Sequence, residues 1–205
     1  MNKDGFLIVV SGFSGAGKGT VVKRLVEEYG YSLSISATTR APREGEEDGR
    51  EYYFKTVAEF RNLIDYNGFI EWAQYVDNYY GTPRKFVENE MKEGRDVILE
   101  IEVQGAMNVK KQYPNALLIF VTAPDAASLK ERLAGRGTET DEVINKRMKR
   151  AAQESDDIDA YDYIVINDEI EECVKTVHSI IVSNKSLKKN NLEFIDKIKS
   201  ELKSL

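Results

Sequence analysis

Val9-Val10-Ser11-Gly12-Phe13-Ser14-Gly15-Ala16-Gly17-Lys18-Gly19-Thr20 is the stretch on which the reading of the whole chain turns. The run before it, Phe6-Leu7-Ile8-Val9-Val10, is apolar and rich in β-branched residues, the pattern of a strand buried inside a parallel sheet. The run after it, residues 21–29, places apolar side chains at helical spacing and stops at Gly30. A glycine-rich loop between a strand and a helix is the context a phosphate-binding loop needs. Gly12, Gly15 and Gly17 let successive backbone N–H groups turn toward one anion. The helix start adds partial positive charge, and Lys18 brings a mobile cation to the outer phosphates. The alternative is a flexible glycine loop with no ligand, and the flanking strand and helix argue against it.

The full motif places Ser or Thr directly after the lysine, where its hydroxyl binds Mg²⁺. Here Gly19 takes that position and Thr20 follows. The expectation is a Mg²⁺ ion held mainly by phosphates and water, with Thr20 reaching an inner phosphate.

Composition sets wide bounds. A chain of 205 residues can bury a full core, and a formal net charge of −6 argues against nucleic acid as a partner, so any anion site must be local. The single cysteine, Cys173, excludes an internal disulfide and fits a reducing compartment. The apolar run near the N-terminus is too short for a signal peptide or a membrane span, so no membrane role and a cytoplasmic setting are expected.

Outward from the loop, residues 31–35 read as a second strand. Residues 37–50 are polar, with Pro and Gly, and read as a loop. Ten of the twenty aromatic side chains fall between Tyr52 and Tyr80, a density that points to a small separate core in an inserted subdomain of residues 37–83. Asp77-Asn78 is a turn signal inside it. A helix over 83–92 follows, then a strand over 97–103, a helix over 105–113 and a strand over 116–121. Further helices are read over 125–133 and 141–157, a last strand over 163–166 and a long helix from 170. Strands alternating with helices imply an α/β fold with a parallel five-stranded sheet covered on both faces. Ile195, Ile198, Leu202 and Leu205 keep helical spacing, read as a terminal helix packing on its own core, with a partner-binding helix as the alternative.

Four polar clusters could carry chemistry. Arg40 and Arg43, with Tyr52 and Tyr80, suit a terminal phosphate, although the acidic run Glu44 to Asp48 beside them fits a solvated surface equally. Glu100 and Glu102, two apart, share one face at the carboxyl end of their strand, where open α/β sheets bind ligands. Two carboxylates in a Val, Ile and Leu run are costly without a purpose. Arg132, Arg136 and Arg147 flank a polar break and read as either a salt-bridged helix surface or a cationic set. Asn167-Asp168 reads as a turn or a contact. His178 and Cys173 have no partner at metal-ligand spacing.

Ser11 to Lys18, Thr38-Thr39-Arg40-Ala41-Pro42-Arg43, Phe69-Ile70-Glu71-Trp72-Ala73, Asn78-Tyr79-Tyr80-Gly81-Thr82 and Gly135-Arg136-Gly137 occur in this order, and together the chain resembles guanylate kinase to about residue 183. The resemblance implies a three-layer P-loop core of residues 1–36, 84–124 and 158–205, a GMP-binding subdomain of 37–83 and a helical lid of 125–157. It implies transfer of the γ-phosphoryl of ATP to GMP, with Mg²⁺, by a monomer or homodimer, dGMP being an alternative acceptor. On the ATP side it implies Gly12, Ser14, Gly15, Ala16, Gly17, Lys18, Gly19, Thr20, Arg132, Arg136 and Asn167. Arg40, Arg43, Tyr52 and Tyr80 match the clamp on the GMP phosphate; Ser36, Glu71 and Thr82 match the residues that read guanine, and Glu100 and Glu102 line the GMP side. Lys18, Arg40, Arg136 and Arg147 are the implied catalytic cations. Gly19 stands where the family carries Ser, and Glu100 and Glu102 stand where it carries Asp.

The chemistry is self-consistent. A phosphate monoester is an anionic nucleophile at pH 7, so no general base is required. Cations overcome the repulsion between two anions, and closure of lid and subdomain excludes water. Two rivals remain: a kinase for another nucleoside monophosphate, against which Glu71 argues, and a non-catalytic binding module, which has no use for Lys18 or the lid arginines.

Overall fold

The computed structural model describes residues 4–75, 77–135 and 140–205. In chain order these form β1 (Leu7–Gly12), α1 (Lys18–Tyr29), β2 (Ser32–Leu33), β3 (Ala37–Thr38), β4 (Tyr53–Phe54), α2 (Val57–Asp65), β5 (Phe69–Tyr75), β6 (Asn78–Pro83) and α3 (Arg84–Lys92). They continue with β7 (Val97–Glu100), α4 (Val103–Gln112), β8 (Leu117–Thr122), α5 (Ala126–Ala134), α6 (Asp141–Glu154), β9 (Tyr163–Ile166), α7 (Ile170–Lys185) and α8 (Leu192–Lys203).

Five strands make a parallel sheet in the order β2-β7-β1-β8-β9. Every residue of β1 is buried, as a central strand with helices on both faces requires. Ile8, Val10, Ile98, Ile119 and Val121 face Val21 and Leu25 of α1 and Val174, Val177 and Ile181 of α7. Val9, Val97, Leu99 and Leu118 face Val87 of α3 and Ala106 and Val109 of α4. The result is a three-layer α/β sandwich. Each such valine, leucine or isoleucine contributes about 1.5–3 kcal/mol through burial, so Leu25→Ala, at a fully buried site, would cost about 2–5 kcal/mol.

A second, four-stranded sheet runs β4-β3-β6-β5, all from residues 37–83. Its core is smaller than the aromatic density implies. Phe60, Phe69 and Ala37 are buried, whereas Tyr66 and Trp72 are exposed. Phe60 stacks on Phe69 at 4.4 Å and on Tyr79 at 5.5 Å. Gly81 admits both phenylalanine rings; a Cβ there would lie 3.0 Å from each. Thr56 and Glu59 form a reciprocal capping box at the start of α2. Ile70 of β5 enters the core between the main sheet and α4, so the two sheets share packing.

Several boundaries differ from the sequence reading. The polar stretch 37–50 opens with buried strand β3, because Ala37 and Thr38 pair with Gly81 and Tyr80 and the Thr38 hydroxyl donates to the Tyr79 carbonyl at 3.0 Å. Pro83 ends β6 rather than opening the next helix. Strand β7 stops at Glu100, three residues early, because α4 starts at Val103. Glu102 is therefore the residue that precedes a helix, not a neighbour of Glu100 on one strand face. The terminal helix sends no buried side chain into the core. Both sheet faces are already covered, α8 has no buried residue, and Leu192, Phe194, Ile198 and Leu202 are exposed. His178 and Cys173 are structural: the Tyr29 ring stacks on His178 at 3.7 Å, and Cys173 is buried in the core. Among the described residues no helix is long and apolar enough to cross a membrane.

Candidate active site

The loop between β1 and α1 turns on glycines at positive φ, 90° at Gly15 and 87° at Gly17. Gly17 also admits Asn167: a Cβ there would lie 2.4 Å from Asn167 Nδ2. Buried Asn167 donates from Nδ2 to the Ala16 carbonyl at 2.8 Å, and its own carbonyl accepts from Arg132 at 2.7 Å. Both residues thus brace the loop from behind. Lys18 Nζ donates to the carbonyls of Gly12 at 2.6 Å and Phe13 at 3.2 Å, which folds the ammonium back over the loop. Arg147 on α6 donates to Ser14 Oγ at 2.6 Å and ties that helix to the loop.

A cleft of about 360 Å³ runs from this loop to the second sheet, within the range of small-ligand sites. It brings together Ser14, Lys18, Ser36, Arg43, Tyr52, Glu71, Tyr80, Glu100, Glu102 and Arg147 from the sequence-derived set. These come from five separate segments, which β1, β7 and the β3–β6 pairing draw to one edge. Arg40 lies off the cleft wall: both Glu46 carboxylate oxygens accept from Nη2 at 2.9 Å, and its guanidinium stands 5.4 Å from the Tyr52 ring centre. Thr82 is fully buried behind Glu71 rather than at the cleft. Arg136 lies outside the described residues.

Glu71 is the most unusual group. It is a buried carboxyl on β5, and loss of hydration pushes it up to about 7 despite the Thr82 hydroxyl, which donates to Oε1 at 2.7 Å. Its Oε2 approaches Gly105 in the first turn of α4, where a Cβ would lie only 2.7 Å away. Burial also pushes the Tyr52 phenol up, with the Glu100 charge adding to it, so the hydroxyl stays a donor. Desolvation raises the Glu100 carboxyl, with Lys18 opposing the rise.

Other cleft residues escaped the sequence reading. Arg150 follows Arg147 by three on α6 and faces the same cleft, with Nε on Glu154 at 2.6 Å; helical spacing alone was a sufficient signal. Ser34, whose buried hydroxyl has no partner among the described residues, and Gly105 carry no such signal. No three His, Cys, Asp or Glu side chains converge on a metal position among the described residues.

A phosphate loop at one end, a buried carboxyl at the other and cations between them define a P-loop phosphotransferase with nucleotide substrates. Residues 5–184 match the sequence profile described as guanylate kinase. The chain belongs to the guanylate kinase family, and its reaction is phosphoryl transfer from ATP to GMP. It is 46% identical to a guanylate kinase of Caldanaerobacter subterraneus subsp. tengcongensis, over 98% of each chain. It is 49% identical to one from Clostridium acetobutylicum, over 90% of this chain and 88% of that one. The crystal structure of guanylate kinase from Anaplasma phagocytophilum superposes with a TM-score of 0.76 at 31% identity, covering 91% of this chain and 89% of the other.

Proposed function

We propose that the cleft holds the two nucleotides end to end, with ATP phosphates on the loop and guanine at Glu71. The observation that supports this most is the buried Glu71 carboxyl, reached from the phosphate loop through Arg43, Tyr52 and Tyr80. As a carboxylate it accepts from guanine N1–H and N2–H together, whereas adenine offers an unprotonated N1. Thr82 and Gly105 act on Glu71, one as a hydrogen-bond donor and one by leaving room. Ser36 and Glu102, which also line the cleft, we assign to the same base side.

Arg43, Tyr52 and Tyr80 grip the GMP phosphate, and Arg40, oriented by Glu46, completes the clamp. Lys18 leaves the loop carbonyls to follow the transferred phosphoryl, while Arg147 moves from Ser14 onto it. Arg132 and Asn167 keep the loop in shape on the ATP side, and Arg136 belongs with the lid cations. We assign residues 37–83 and 125–157 as the two parts that close on the core, which excludes water as a competing acceptor.

Mg²⁺ fits this donor set. At the start of α1, Glu100 would supply a hard carboxylate oxygen beside Gly19, with phosphates and water as the other donors. The ion would supply neutralisation of phosphate charge there. A cytoplasmic enzyme acting as a monomer or homodimer is the setting we assign; the lone buried Cys173, pushed up to about 11 by burial, fits a reducing compartment. A coupled assay of ADP formation with ATP and GMP, dGMP, AMP, UMP or CMP tests the base assignment. Turnover confined to the two guanine nucleotides is the expected result, and equal turnover with AMP would overturn it.

A further inference from the structure

Gly19 lies inside the first turn of α1 and, unlike Gly15 and Gly17, has no positive φ. Nothing in its backbone calls for glycine, and a helix interior disfavours it. The reason for glycine lies in the space beside it. A Cβ at this position would lie 3.5 Å from Glu100 Oε1 and 3.7 Å from Oε2. Apart from the helix's own backbone and adjacent residues, those are the described protein atoms it would meet within 4 Å. A serine hydroxyl, one bond farther out, would press on the carboxylate or form a hydrogen bond that ties it up.

Glu100 reaches this point because β7 runs beside β1, with Glu100 level with Val10 just before the loop. An aspartate, one methylene shorter, would stop short of it. We infer that Gly19 and Glu100 are a matched pair, in which the longer carboxylate fills the room left by the missing hydroxyl and is the protein's oxygen donor to the divalent cation that travels with ATP. This rests on the reading of the loop end of the cleft as the Mg·ATP site. It places Glu100 with the phosphates and leaves Glu102, at the start of α4, with the GMP.

Direct donation by an anion, rather than by a neutral hydroxyl, has its own signature. Glu100 repels a metal-free nucleotide and attracts a metal-bound one, so the gain in nucleotide affinity on adding metal is larger than a hydroxyl would give. The test uses the full-length protein, Mn²⁺ as the cation and a non-hydrolysable ATP analogue as the nucleotide. Calorimetry gives analogue affinity with and without metal, and electron paramagnetic resonance reads the Mn²⁺ environment; circular dichroism and GMP binding confirm folding of each variant. E100Q, nearly isosteric, should lose about tenfold in Mn²⁺ affinity in the ternary complex and should bind the metal-free analogue as tightly as wild type or tighter. G19S and E100D should each weaken Mn²⁺ binding, while the double variant G19S/E100D should recover most of it, a non-additivity expected only of groups that share one space. A strong metal response in wild type with E100Q unchanged, or losses that simply add in the double variant, would overturn the pair. If wild type itself bound the analogue no better with metal, the reading of the Mg·ATP site would fall as well.

Discussion

On the assignment proposed above, the two ends of the cleft recognise their ligands with different materials. The phosphate end is mostly backbone: glycines at positive φ, the first turn of α1, and one lysine folded over the loop. The base end is a single buried carboxyl, Glu71, with a hydroxyl on one oxygen and a side-chain-free position against the other. A site made of consecutive backbone groups tolerates change in side chains and fails when one cation or one glycine is lost. A site made of one side chain fails gradually, through whatever sets that side chain's charge and position.

The largest effect should come from the phosphate end. Lys18→Ala removes the cation we assign to follow the phosphoryl group and nothing from the base end. Turnover should fall at least about a hundredfold, since one preorganised electrostatic donor is worth roughly 3 kcal/mol, with GMP affinity retained. Steady-state kinetics with GMP-binding calorimetry checks both halves; near-normal kcat would erase the contrast between the ends. Next in size is Glu71→Gln, which keeps one acceptor and turns the other into a donor facing a donor. A charge-assisted hydrogen bond is worth roughly 1.5–3 kcal/mol, so kcat/KM for GMP should fall on the order of ten- to a hundredfold. AMP should lose little. An unchanged ratio of GMP to AMP would show that Glu71 does not read the base.

The same contrast explains what could be read before any coordinates. A backbone site needs its residues in one run, so Gly12 to Thr20 announced itself, and the buried strand and amphipathic helix around it settled the fold class. The base site draws on β5, β6 and α4, whose spacing in the chain means nothing until the sheets pair. Glu71 was placed by its resemblance to a known family, and Gly105 was not seen at all, because a residue that acts by having no side chain leaves no chemical trace. Thr82, expected among the residues that read the base, is buried with its hydroxyl on Glu71. The misreading of Glu100 and Glu102 as one strand face had a physical cause: Ile101 and Val103 continue the apolar alternation, but β7 ends where the chain turns into α4. The exposed stripe on α8 shows the reverse limit, since helical periodicity reports an apolar face and not what covers it.

Acid should separate the ends without mutation. In the empty protein burial holds Glu71 at about 7, above its ordinary value, so below pH 7 the carboxyl is mostly protonated and cannot accept both guanine donors. GMP binding then releases a proton, and affinity rises with pH up to about 7, approaching tenfold per unit on the acid side. The GMP phosphate, with its second pKa near 6, pulls in the same direction. The discriminating measurement is the pH profile of KM for GMP in wild type and E71Q from pH 5.5 to 8.5. The component near 7 should vanish in the variant and the phosphate component should stay; identical profiles would remove Glu71 from the titration.

The smallest expected effect lies between the two ends, at Glu46. Its carboxylate accepts from the Arg43 backbone N–H at 2.7 Å and from Arg40 Nη2, and the two side chains are each only 16% exposed. Those contacts, the Arg43 N–H foremost, hold its pKa below the usual carboxylate range. Arg40 Nη1 is meanwhile fixed on the Ala41 carbonyl. The guanidinium is therefore aimed by its own loop before any phosphate arrives, and its remaining N–H groups are left for the ligand. Glu46→Gln keeps the size, one acceptor and the contact to the Arg43 N–H, but removes the charge that draws Arg40 in. A partly exposed pair of this kind is worth up to about 1 kcal/mol, so KM for GMP should rise a few-fold, by up to about fivefold, with kcat and KM for ATP unchanged. Added salt should shrink the difference between the two proteins, because screening weakens the pair in wild type and has no pair to act on in the variant. If KM for GMP instead fell, Glu46 would be competing with the acceptor phosphate for Arg40 rather than aiming it.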